Sequence, residues 1–269
     1  MNEFHRKLLT PLDFLFNFNL KSYCLGPNAI EIVGCRGSGK SSLYALIAEV
    51  AKKAGMKVYC QYPYKGCFQI PVLKEDQGRM ITEYTNVPSG KPYKRQTWIP
   101  HEVYTVDKDW LYSTDFNNSV VLLDEARTIY PARGFKDWTI SDDEFFNFLR
   151  HLNVTVFLSS QEHDALDLNV KRAVDETWFL YKNGKSPFTH VEVYTSMTVP
   201  IENLQKRVKL KGQKEMYQLD WDICSALQRK FLFYRPPYYD LFNTNFTYGE
   251  KLPAEVDTWD SLLEGDACG

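Results

Sequence analysis

The chain has 269 residues, 44% hydrophobic and 25% charged, which excludes a disordered tail, a fibrous repeat and a low-complexity scaffold. Its 32 Lys and Arg against 34 Asp and Glu leave a net charge of −2, so any grip on a polyanion must come from a local patch. A chain this long buries a core without staples. None of its six cysteines forms a C-x-x-C pair, so they read as reduced thiols rather than as disulfides or zinc ligands.

The first apolar stretch, Leu8 to Leu20, is interrupted by Pro11, Asp13, Asn17 and Asn19. No apolar run approaches the length a membrane helix needs, and no signal peptide is apparent. Two readings of the stretch stay open: a segment packed on the core, or one lying on a membrane surface. Ala29 to Val33 is short, apolar and β-rich, and stops at Gly34. From Ser41 to Lys53 the apolar residues Leu43, Leu46, Ile47 and Val50 recur at helical spacing, and Gly55 is the stop signal. Lys57 to Tyr62 reads as a second strand. A strand, a loop, a helix and a strand in that order point to a parallel sheet.

Residues 63–118 hold Tyr, Lys, Pro and Gly without sustained period and read as an insertion of short strands or hairpins. Ser119 to Asp124 is a buried-strand pattern ending in acids. A helix is expected over Asp142 to His151 and a buried strand over Val154 to Leu158, ending at Ser159-Ser160-Gln161. Another helix follows over Leu166 to Val174, then strands over Glu176 to Tyr181 and His190 to Val199. Beyond residue 200 the composition shifts. Lys206, Arg207, Lys209, Lys211 and Lys214 form a basic run, suited equally to a nucleic-acid backbone or to a lysine-protected edge strand. Aromatics crowd Tyr217 to Phe246, and the tail from Glu250 is acidic. The expected division is a domain at 1–200 carrying the insertion and a small appendage at 201–269.

Gly34-Cys35-Arg36-Gly37-Ser38-Gly39-Lys40-Ser41 fits G-x-x-x-x-G-K-[ST] and lies between a strand and a helix. Its glycines let the backbone wrap a phosphate, and the loop N–H groups and helix N-terminus face the anion. Gly34, Cys35, Arg36, Gly37, Ser38, Gly39, Lys40, Ser41 and Ser42 are therefore the expected nucleotide contacts. Lys40 would bridge the β- and γ-phosphates, and the Ser41 hydroxyl would hold Mg²⁺. Asp124, at a strand tip, suits the Mg²⁺ acid, and Glu125 the base that polarises the attacking water. Gln161 ends the next strand, where an amide would meet the γ-phosphate or that water. An arginine from a neighbouring subunit is also needed, and Arg133, Arg150 and Arg172 are candidates, with Arg172 preferred. ATP and Mg²⁺ are the implied cofactors.

Asp124-Glu125-Ala126-Arg127, Tyr130-Pro131-Ala132-Arg133, Phe148-Leu149-Arg150-His151 and Val156 to Gln161 together resemble the zonula occludens toxin (Zot) family. That family includes the assembly ATPases of filamentous phages, within the FtsK/HerA-type group of DNA-pumping motors. The likeness covers roughly residues 29 to 182. It implies a three-layer P-loop NTPase sandwich (α/β, mainly parallel sheet) and an ATP-hydrolysing motor that moves DNA during virion assembly or packaging. It also implies a homo-oligomeric, hexameric ring. The expected partners are DNA, single-stranded favoured, and phage or viral structural proteins. The expected location is cytoplasmic, with possible peripheral contact at the inner face of the membrane. Filamentous-phage members usually carry a transmembrane helix after the ATPase domain, and no such helix is seen here. A nucleotide or small-molecule kinase and a nucleotide-switched adaptor are the competing readings.

Overall fold

A computed structural model describes residues 3–26, 28–85, 93–132, 138–195 and 227–242, together with residues 252, 254, 256 and 257. The strands are β1 (Ala29–Val33), β2 (Lys57–Cys60), β3 (Phe68–Gln69), β4 (Val72–Thr85), β5 (Tyr93–Val106), β6 (Ser119–Leu123), β7 (Val154–Ser160), β8 (Glu176–Tyr181), β9 (Phe188–Thr195) and β10 (Leu227–Tyr234). The helices are α1 (Glu3–Tyr23), α2 (Lys40–Lys53), α3 (Lys108–Ser113), α4 (Ile140–Phe148) and α5 (Leu168–Ala173).

Eight strands form one sheet in the order β10-β9-β8-β1-β7-β6-β2-β3. From β8 to β3 every pairing is parallel, and β9 and β10 add an antiparallel flank. This is the α/β sandwich with a mainly parallel sheet that the sequence predicts. Strand alternation divides the core into two layers. Ile30, Ile32, Val120, Leu122 and Phe157 pack with α2 residues Leu43, Leu46 and Ile47 on one face. Ala29, Val121, Leu123, Val156 and Leu158 pack with Phe146 of α4 and Val170 of α5 on the other. Glycine at position 55 stops α2 as expected, at φ +76°.

Several elements differ from the sequence reading. The insertion contains one ribbon of two 14-residue strands, β4 and β5, paired antiparallel from Val72↔Val106 to Thr85↔Tyr93 and separate from the central sheet. Neither strand is sandwiched in a layer, so its sequence carries no alternating pattern to read. The helix expected to reach His151 stops at Phe148, where the chain turns through Asn153 at φ +53°. Its start is set by a capping box between Thr139 and Asp142. The helix expected from Leu166 begins at Leu168, because the Asp167 side chain accepts from Asn169 N at 2.8 Å.

Residues 227–234, placed in the appendage by composition, are the edge of the central sheet. Of the aromatics that crowd Tyr217 to Phe246, Phe233, Tyr234 and Tyr238 are buried. The basic run at 206–214, most of the acidic tail that starts at Glu250, and Arg133 lie outside the described residues.

Helix α1 bears out the packing reading of the N-terminal stretch on one of its sides. Asn17 is fully buried against β10 and acts as a strand partner. Its amide donates to Tyr234 O and its carbonyl accepts from Tyr234 N, both at 2.8 Å. Tyr238 donates to Asp13 at 2.6 Å, and Phe16 stacks edge-on against Phe188. The opposite side of α1 leaves Phe14, Leu15 and Phe18 more than half exposed. No helix among the described residues is long and apolar enough to cross a membrane.

Candidate nucleotide site

Parallel strands bring their C-terminal ends to one edge of the sheet, where ligands of such folds bind. Here β7 lies between β1 and β6. The residue after β7, Gln161, therefore stands between the loop that follows β1 and the acids that follow β6. Three segments separated by more than thirty residues in sequence meet in one place.

The loop Gly34–Gly39 leads into the N-terminus of α2. Gly37 and Gly39 sit at φ +74° and +110°, which side-chain-bearing residues rarely adopt. At Gly34 an added Cβ would lie 2.5 Å from Ser38 Oγ and 2.8 Å from Leu180 O. Lys40 Nζ turns back and donates to Gly34 O at 2.5 Å and to Cys35 O at 3.5 Å. Burial holds its amine below the usual lysine range, opposed by the nearby charges of Asp124 and Glu125. Lysine and acids thus feel one another across the site.

Asp124 follows β6. Its Oδ1 accepts from Glu125 N at 3.0 Å and from the Ser159 hydroxyl. Its Oδ2 accepts no hydrogen bond among the described residues. Burial raises its carboxyl above the ordinary value. An acid with one oxygen fixed and the other free, in a place that disfavours bare charge, fits a cation ligand. The Ser41 hydroxyl likewise has no hydrogen-bond partner among the described residues. The residues present therefore fit Mg²⁺ and a phosphate chain.

Glu125 sits at φ +47°, ψ +47°, an uncommon backbone for a residue with a side chain, costing roughly 1–3 kcal/mol. That turn directs its carboxylate to Gln161 Nε2, which donates to Oε1. Arg127 Nε stands 3.2 Å from Oε2. Beneath them the buried Tyr44 of α2 donates to Leu123 O at 2.9 Å and Phe157 O at 3.1 Å, tying α2 to the ends of β6 and β7.

Arg150 and Arg172 are exposed or half-buried and are not brought to this edge. Each precedes the start of a strand, β7 or β8, and those starts lie beside the start of β1. Within one protomer both belong to the opposite edge of the sheet. The chain's own cations at the loop include Lys182 and Arg235, which the sequence reading missed. Lys182 Nζ is 3.8 Å from the position a Cβ on Gly37 would take. Arg235, 7% exposed, has its Cδ 2.7 Å from the corresponding position at Gly39. Its guanidinium donates to Ser186 O and, at 3.3 Å, to Pro187 O. Thr189 Oγ donates to Ser38 O at 2.6 Å. Topology explains the meeting, since β9 begins and β10 ends at the edge where β1 ends. The only hint in the sequence is an arginine before Pro236-Pro237 at the end of an aromatic strand.

No curated protein matches the chain. Among solved structures, the N-terminal domain of zonular occludens toxin from Neisseria meningitidis aligns at 15% identity with a TM-score of 0.48, over 81% of this chain and 99% of that one. The genome packaging NTPase B204 from Sulfolobus turreted icosahedral virus 2, in complex with ATP-gammaS, aligns at 16% identity with a TM-score of 0.39, over 63% and 92%. A profile of the Zonular occludens toxin (Zot) family matches residues 32–219, from within β1 through every residue of the site except Arg235. With that match spanning more than half of the sequence, the chain belongs to the Zot family.

Proposed function

We propose that this protein is a Mg²⁺-dependent ATPase whose turnover drives DNA movement during virion assembly or packaging. The observation that carries the reading is the bond from Gln161 to Glu125. It places an amide and a carboxylate together beside Asp124, at the sheet edge where the loop carrying Lys40 also ends.

The backbone from Gly34 to Ser42 would cradle the phosphates, and Lys40 would leave Gly34 O to bridge the β- and γ-phosphates. Ser41 and Asp124 would hold Mg²⁺, which supplies charge neutralisation on the phosphate oxygens. Glu125 would take a proton from a water that attacks the γ-phosphorus. The bond from that phosphorus to the leaving ADP oxygen then breaks, and inorganic phosphate forms. Gln161, released from Glu125, would orient the water and report the γ-phosphate to β7. Arg172 would act on the site of a neighbouring copy in a ring. The Zot family membership supports the phage context. The paired Glu125 and Gln161 support hydrolysis over transfer to a small acceptor.

The test is steady-state phosphate release from Mg-ATP by the purified protein, with and without single-stranded DNA. Release that rises several-fold with DNA is the expected result. Phosphate appearing on a small acceptor would instead identify a kinase, and tight binding without turnover in any assembly state would identify a nucleotide-switched adaptor.

A further inference from the structure

The ribbon of β4 and β5 has no place in the ATPase core. Fourteen residues at about 3.4 Å each make an arm of roughly 45 Å. Its strands pair with each other in a two-stranded sheet separate from the central one. At the foot, Val106 is buried, Asp107 N donates to Pro71 O at 3.2 Å, and Thr105 donates to Thr128 O at 3.4 Å.

Charge divides along the arm. Its inner half, residues 72–78 and 100–106, has Lys74 against Glu75, Asp76 and Glu102. Its outer half, residues 79–85 and 93–99, has Arg79, Lys94 and Arg95 against Glu83. The register also divides the outer half into two faces. Glu83 is paired with Arg95, on the same face as Arg79. The other face carries Met80 opposite Trp98, Thr82 opposite Gln96 and Tyr84 opposite Lys94, with a cation, two aromatics and no acid.

We propose that this outer face of the ribbon is a contact surface for single-stranded DNA, with Lys94 for the phosphates and Tyr84 and Trp98 as stacking platforms. Cations draw a polyanionic strand to the outer half, and the acids of the inner half keep it away from the foot. Aromatics beside a cation suit unstacked bases of any sequence, as a DNA-moving protein requires. The placement rests on the motor reading, but the binding does not depend on turnover.

The experiment is fluorescence anisotropy of the full-length protein with a labelled single-stranded oligonucleotide across a salt series, with basal phosphate release measured in parallel. Lys94→Glu should weaken binding about fivefold or more and reduce the log–log salt slope by about 0.7, the value for one lost phosphate contact. Trp98→Ala should weaken binding about five- to tenfold or more and leave that slope nearly unchanged. Lys74→Glu, at the foot, should change neither. Unchanged affinity in the Lys94 variant, or equal losses from the foot variant, would overturn the proposal, as would preference for duplex over single strand. If the parent binds the oligonucleotide as described but releases no phosphate, the ATPase reading fails and this one stands.

Discussion

The two flanks of the sheet on either side of β1 do different work. On one side β7 and β6 end in Gln161, Asp124 and Glu125, the groups suited to chemistry. On the other, β8, β9 and β10 bring Lys182, Thr189 and Arg235 to the Gly34–Gly39 loop, where Thr189 donates to Ser38 O and the Arg235 side chain packs close to Gly39. On the first flank each group is set at a strand tip by the short segment around it. The second joins residues as far apart as Thr189 and Ser38, 151 positions along the chain. Reactive groups are specified by short motifs, while the rigidity that makes them useful is specified by long-range topology.

Substitution on the two flanks separates these roles. Lys40→Ala removes the cation that would bridge the phosphates and should lower phosphate release by about 10³-fold or more, with weakened nucleotide binding, as read by turnover and a fluorescent-nucleotide titration. Arg235→Ala strikes the bracing flank. It should raise the apparent KM for ATP about tenfold with a smaller change in kcat, because it loosens the turn at Gly39 without removing a reacting group. Arg235→Lys should recover part of the loss. Equal losses in kcat and kcat/KM would move Arg235 to the catalytic flank and break the comparison.

Farther out, Asn17→Ala leaves the backbone of Tyr234 without its partners and should cost about 1–3 kcal/mol by chemical denaturation, with KM unchanged in the folded fraction. Asp13, beside it, shows a sign in pH. Burial pushes its carboxyl up, but hydrogen bonds from Lys21, Tyr238 and Asn17 outweigh this and hold it below the ordinary 3.8. A depressed folded value contributes stability above the unfolded one, lost as pH falls from about 4 through the lower folded value. Asp13→Asn should therefore flatten the acid limb of the stability curve and leave its slope near neutral pH alone. The smallest effect is expected at the exposed Phe14 and Leu15, where Phe14→Ser or Leu15→Ser should change stability by less than about 0.5 kcal/mol.

The same contrast explains what was legible in the sequence. Gly34 to Ser41 announces itself because each residue type is demanded by one local contact. Asp124 and Gln161 are visible because buried parallel strands read as unbroken apolar runs that end abruptly. Their meeting was an expectation from the strand tips, and the order β1-β7-β6 supplies the geometry. Arg235 was hidden because nothing near it in sequence reveals that β10 ends beside Gly39. Asn17 read as an interruption in an apolar stretch, yet it is the residue that pairs α1 with a sheet edge. The β4–β5 ribbon was legible as hairpin material in an insertion, but its 14-residue strands and their register were not. No sustained period marks its residues, and Gly78 opposite Pro100 looks like loop material.

The central claim is that Glu125, presented by its left-handed turn and held by Gln161, is the base for ATP hydrolysis. The most direct measurement is phosphate release from Mg-ATP by the parent and by Glu125→Gln, with nucleotide affinity determined on the same samples. The account predicts that the variant binds ATP within about threefold of the parent and releases phosphate about 10²–10⁴ times more slowly. Turnover within a few-fold of the parent, at equal affinity, would contradict it.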